Sequence, residues 1–150
     1  MKKNRLLHIL VTVLIWLFIA AGTALAAWMF ADVLPLLGQE VNGAYYMTIA
    51  AVLGLLCYAG ALFIAILLLQ MLRSLKADPF VTENVRRLRL MGFTALGITA
   101  CTFLLLLIPV NVFIFLAAGM AVGLCGLLAL VLAEVFDRAV AYKCENDLTV

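Results

Sequence analysis

What this sequence has least of is charge. Only 12% of its 150 residues are charged, 68% are hydrophobic, and the mean hydropathy is +1.24. A soluble domain averages about 25% charged and about 45–50% apolar residues. No water-soluble core of this size hides so many Leu, Ile, Val and Phe side chains, whereas a bilayer solvates them. Histidine is almost absent, with His8 alone. None of the four cysteines forms a C-x-x-C pair. A Gly-rich phosphate loop, a nucleophile motif and paired carboxylates are all missing. The sequence therefore points to no catalytic residue, no cofactor-binding residue and no metal ligand set, and the expectation is a protein that is not an enzyme.

The apolar residues fall into four runs, at about 6–31, 44–72, 90–108 and 112–133. A helix needs about 20 apolar residues to cross about 30 Å of hydrocarbon, and each run has a charge-free centre. A transmembrane barrel alternates apolar with polar residues, which these runs do not. The expected fold is an all-α integral membrane protein of one domain, an antiparallel bundle of four transmembrane helices. Proton and ion pathways usually leave ionisable groups in mid-span. Their lack here argues against a proton-coupled carrier. At depth the modest polar groups are Tyr58, Thr99, Thr102 and the cysteines; a phenol at Tyr58 is expected to face the bundle and find a hydrogen-bond partner.

Positive charge is missing from both outer loops of this four-span scheme. Lys2, Lys3 and Arg5 precede the first run. Arg73, Lys76, Arg86, Arg87 and Arg89 separate the second from the third, and Arg138 and Lys143 follow the fourth. By the positive-inside rule both termini, a loop at 73–89 and a helix extension and tail at 134–150 are cytoplasmic. Basic side chains beside a span meet anionic headgroups of the inner leaflet. A docking face for a cytosolic protein is the alternative use of the same charges. Direct contact with nucleic acid is not expected.

The start of the chain resembles a signal peptide, with a basic head and Ala24-Leu25-Ala26, but the apolar run continues past it, so an uncleaved first span is expected. His8 reads as a solvated interfacial residue. Pro35, Gly38 and Asn42-Gly43 punctuate the larger outer loop, and Trp28, Phe30, Tyr45 and Tyr46 suit an outer aromatic belt. Along the second run Ala50, Gly54, Ala61 and Ala65 are candidate points of close helix contact. Asp78 and Pro79 suit an N-cap and first helical position, so 80–89 reads as a helix leading into the third span. Glu83 is spaced to pair with Arg86 or Arg87. Pro109-Val110-Asn111 leaves room only for a tight turn, which makes the third and fourth spans a hairpin. Gly119 and Gly123 form a GxxxG pair with Gly126 following, a device for close helix packing that serves a monomer and a homo-oligomer equally well. Glu134 and Arg138, four apart, are expected to pair on a helix leaving the membrane. Cys57, Cys101 and Cys125 read as small packing residues rather than a buried metal or redox site.

Two segments, DPFVTENVRRLRLMG and LAEVFDRAVAYKCENDLTV, resemble the domain-of-unknown-function 2975 family of small bacterial four-span membrane proteins. The matching positions are Pro79, Phe80, Glu83, Asn84, Leu88, Arg89 and Gly92, then Glu134, Val135, Phe136, Glu145, Asn146, Asp147, Leu148, Thr149 and Val150. Cys144 stands where many members carry an extra acid. The resemblance implies no activity. It implies a regulatory partnership with a small helix-turn-helix regulator, whose gene often lies beside those of the family. The expected function is thus a non-enzymatic inner-membrane protein of regulatory or interaction type. Its partner-binding face would be Pro79, Phe80, Glu83, Asn84, Arg86, Arg87 and Arg89 with Glu134, Arg138 and residues 145–150. The tail would either fold back, Glu145 or Asp147 meeting Arg86, Arg87 or Arg89, or be released to a partner. The alternatives are an oligomeric transporter or channel for ions or small molecules, and a structural accessory subunit.

Overall fold

In the computed structural model the chain forms four long helices: α1 Lys2–Val33, α2 Ala44–Ser74, α3 Thr82–Leu104 and α4 Val112–Asp147, with a 3-10 turn at Leu105–Leu107 closing α3. The structure describes residues 2–33, 44–74, 82–107 and 112–147, with side chains at 9–24, 26–27, 31, 46, 48–74, 82–107 and 113–145. The outer loop, Asp78, Pro79, Phe80, the turn at 109–111 and Leu148, Thr149 and Val150 lie outside the described residues. So do the side chains of His8, Trp28, Phe30, Tyr45, Asn146 and Asp147.

There is no strand among the described residues, as the expected all-α class requires. Three stretches, Thr48–Ser74, Thr82–Leu107 and Phe113–Glu145, are long and apolar enough to cross a membrane, and Ile9–Ala24 in α1 is a shorter apolar stretch. The lipid-like exterior is plain: Phe18, Phe93 and Phe113 are all exposed. With no water along a span, each backbone polar group must be satisfied within its own helix. The threonines follow the same rule. The hydroxyls of Thr94, Thr99 and Thr102 donate to the carbonyls of Leu90, Ala95 and Ile98, one turn back, at 2.8, 2.9 and 2.8 Å. Each is thereby satisfied first within α3, and the Thr99 hydroxyl also lies 3.4 Å from the Gly119 carbonyl oxygen of α4.

The helices pack in chain order, α1 on α2, α2 on α3, and α3 most extensively on α4. The two hairpins α2/α3 and α3/α4 are antiparallel. Gln70 of α2 lies by Arg87 and Gly60 by Ile98. Arg89 of α3 lies by Asp137, and Gly92 by Gly126 and Leu130. The α3/α4 seam is the tightest. A Cβ on Gly92 would lie 2.6 Å from Cγ of Leu130 and 3.0 Å from the Gly126 carbonyl oxygen, and one on Gly126 would lie 2.9 Å from Ala95. Gly119 and Gly123 face Phe103 and Thr99 on the same seam. All three glycines on α4 thus look into the chain's own α3.

Two expectations about α2 are corrected. Gly54 touches nothing within 4 Å of where a Cβ would sit. A groove of ≈ 540 Å³ lies on that half of α2, beside Val52, Leu53, Leu104 and Leu107. Close approach occurs instead at Gly60, against Ile98 and Thr94. Tyr58 does face the bundle, its ring 2.9 Å from where a Cβ on Gly22 would be. Its hydroxyl is buried without a hydrogen-bond partner among the described residues. Shape, the ring fitting the space a glycine leaves, sets its orientation rather than a hydrogen bond.

Candidate functional site

The arginine-bearing end of the molecule holds a buried apolar cluster. Val85 and Leu88 of α3 bury against Ala133 and Val140 of α4, with Met71 of α2 and Phe136 packed alongside. Their spacing explains this. Val85 and Leu88 share one face of α3, and Ala133, Phe136 and Val140 one face of α4. Three helices therefore close an apolar cluster at the arginine-bearing ends of the apolar stretches. Asn84, only 1% exposed, is the most enclosed polar residue at this end.

Charged groups then stitch the cluster's rim. Arg87 donates to Glu83 Oε1 at 3.5 Å, to Asn84 Oδ1 at 3.5 Å and to the carbonyl of Gln70, near the end of α2, at 3.3 Å. Its side chain is 19% exposed against 57% for Glu83, so the guanidinium fills the join between α2 and α3. Arg89 reaches Asp137 of α4 at 3.5 Å, and Arg138 reaches Glu134 at 3.4 Å along α4 itself. A rim pair of this exposure is worth about 0–1 kcal/mol, so the apolar cluster, not the charges, carries the stability here.

The residues singled out from sequence separate into groups. Glu83, Asn84, Arg87 and Arg89 are occupied within the chain, as are Glu134 and Arg138 with each other. Arg86 is exposed and enters no ion pair among the described residues. Glu145 is exposed at the far end of α4, and the backbone of Asn146 and Asp147 continues the helix. Arg87 meets Glu83, and Arg89 meets Asp137.

Sequence reasoning missed Asp137 and the Gln70 carbonyl. The hairpin offered a signal for the first, since a short turn forces residues far from it on either helix to one level. It offered none for a backbone acceptor on α2. The extension of α4, which the sequence reading included in the partner-presenting face, carries a groove of ≈ 490 Å³ along Val131, Glu134, Val135, Arg138, Ala139 and Tyr142. Val135 is 57% and Tyr142 72% exposed. No group of three or more metal-ligating side chains occurs among the described residues.

A family model described as a protein of unknown function (DUF2975) matches residues 8–150. No curated protein and no solved structure matches the chain.

Proposed function

This chain belongs to the DUF2975 family of proteins of unknown function, and from that premise we propose that it is a non-enzymatic regulatory or interaction protein of the bacterial cytoplasmic membrane. Its arginine-bearing end and both termini face the cytoplasm, by the distribution of Lys and Arg. The spans anchor and align three helix ends, and those ends present the working surface. One observation carries the reading. Asn84 and Ala133, each 1% exposed, lie at the arginine end, where an apolar cluster from α2, α3 and α4 holds three helix ends in fixed relation, as a docking surface requires.

On that scaffold, exposed groups remain for a partner: Arg86 on α3, and Val135 and Tyr142 on the outer face of α4. The tail 145–150 follows directly. A flat helix face with aromatic and aliphatic anchors and charged flanks suits a helical protein partner. The small helix-turn-helix regulators that the family resemblance implies are of that kind. Inner-leaflet anionic headgroups meet the remaining basic side chains.

The test is chemical cross-linking in intact membranes, followed by recovery of the chain with and without residues 145–150. The expected result is loss of a defined cytosolic partner on truncation. An identical set of partners overturns the reading. In liposomes the purified protein is expected to pass neither protons nor small ions, and a measured flux would replace this reading with a transporter.

A further inference from the structure

Helix α4 is covered on one side. Gly119, Gly123 and Gly126 look into α3, and Ala133 and Val140 bury in the cluster that α3 and Met71 of α2 complete. The opposite side of α4 carries Leu124, Leu128, Val131, Val135 and Tyr142, each more than half exposed. With Arg138 they advance in alternating steps of four and three residues, the spacing by which two parallel helices interlock side chains. This stripe outruns the membrane. Helix α4 has 36 residues, and at 1.5 Å per residue it is longer than about 30 Å of hydrocarbon. The upper members of the stripe lie in the apolar run at 112–133, where lipid covers them. Val135 and Tyr142 stand beyond that run, among Glu134, Asp137, Arg138 and Lys143, and line the groove on the extension. The one charge on the stripe, Arg138, is neutralised by Glu134 of the same helix at 3.4 Å.

We propose that a second copy of this chain covers the outer face of α4, giving a two-fold dimer in which the two α4 helices run parallel. The occupant of the stripe must offer apolar side chains within the hydrocarbon and again beyond it, and no net charge opposite Arg138. Lipid matches the upper half of the stripe, and a cytosolic protein the lower half. The stripe of another α4 matches both. Insertion gives every copy the same direction, so one patch meets itself about an axis normal to the membrane. Arg138 of each copy then lies beside that of the other, and each needs its own Glu134 to offset the repulsion. A single polar residue in an apolar seam also fixes the register of the pair. The inference deepens the reading above and rests on it for the shared direction of insertion. It assigns Val135 and Tyr142 to the second copy and leaves Arg86 and the tail to a cytosolic partner.

The test uses the full chain in lipid vesicles at high lipid excess, with Cys125→Ser and Cys144→Ser as the background. Val131 and Leu132 are adjacent and both exposed, but they stand about 100° apart round the helix. Under copper–phenanthroline, Val131→Cys is expected to give a disulfide-linked dimer, and Leu132→Cys to stay monomeric. Tyr142→Cys should also link. The background chain, and the chain that keeps Cys144 alone of the two exposed thiols, should not. In the Val131→Cys chain, Glu134→Gln should cut the linked fraction about tenfold by setting two uncompensated arginines side by side, and adding Arg138→Gln should restore it. Monomer at both Val131→Cys and Tyr142→Cys, the result if lipid and a cytosolic protein share the face, overturns the proposal. So does equal linkage at Val131→Cys and Leu132→Cys, or a linked fraction unmoved by Glu134→Gln. The vesicles hold no cytosolic protein, so failure here removes the second copy and leaves the partner of the reading above untouched.

Discussion

At the scale of single residues, glycine and asparagine govern the packing. Gly92 and Gly126 stand where α3 and α4 approach backbone to backbone, and an added methyl meets Leu130 at 2.6 Å from one side and Ala95 at 2.9 Å from the other. Gly92→Ala and Gly126→Ala should each lower stability by about 1–3 kcal/mol, the usual cost of overpacking, in denaturant titration in mixed micelles. Gly54→Ala is the matched control. Nothing lies within 4 Å there, so the gain in helix propensity of about 0.5–1 kcal/mol should appear as slight stabilisation. The GxxxG spacing on α4 was legible. Gly92 as its counterpart, and Gly54 as a bystander, were not, because a glycine's neighbour depends on a register that local pattern does not carry. Asn84, assigned from sequence to the partner-binding face, is enclosed at 1% exposure. Asn84→Ala removes an acceptor of Arg87 and leaves a void, and should cost about 1–3 kcal/mol in the same titration.

At the scale of elements, the long helices were visible from apolar length alone, as were the i,i+4 pairings of Glu83 with Arg87 and Glu134 with Arg138. What sequence left open was where the arginines of α3 point, since contacts between helices are set by how far each runs. Helix α4 spans 36 residues, about 54 Å at 1.5 Å per residue. That exceeds the hydrocarbon thickness of about 30 Å, so its last turns stand beside the first turns of α3 and bring Asp137 to Arg89. A rank order follows. Arg89→Gln and Asp137→Asn break a half-exposed pair and should each cost under about 1 kcal/mol, and the double variant should cost little more than either. Arg87→Gln leaves Glu83 and Asn84 without their cation and unties α3 from the end of α2. As a hydrogen-bonded charge it should cost more, about 1.5–3 kcal/mol. Equal losses at Arg87 and Arg89 would mean that the join to α2 contributes nothing.

At the scale of the whole molecule, the proposed orientation in the bilayer rests on charge, and every feature of the proposed working surface stands on it. All ten Lys and Arg lie outside the apolar runs and on one side of a four-span path. Insertion places Lys and Arg on the cytoplasmic side of short loops, and the cytoplasmic leaflet's anionic lipids hold them there at roughly 1 kcal/mol each. The proposed orientation puts both extremes of the path in one compartment with Arg86, and Gln39 in the other. Single-cysteine chains carrying Arg86→Cys, Gln39→Cys or the native Cys144 separate the two faces when intact cells meet a membrane-impermeant maleimide. Only Gln39→Cys should be labelled from outside, and Arg86→Cys and Cys144 should react after the membrane is opened. Since Cys144 sits on the helical extension of α4 and Arg86 on the first turns of α3, labelling of one without the other from outside is incompatible with Val85 packing against Val140. Such a result would therefore contradict the packing of α3 on α4 together with the orientation. Labelling of both from outside would leave the packing intact and invert the molecule, moving the proposed partner from the cytoplasm to the opposite face.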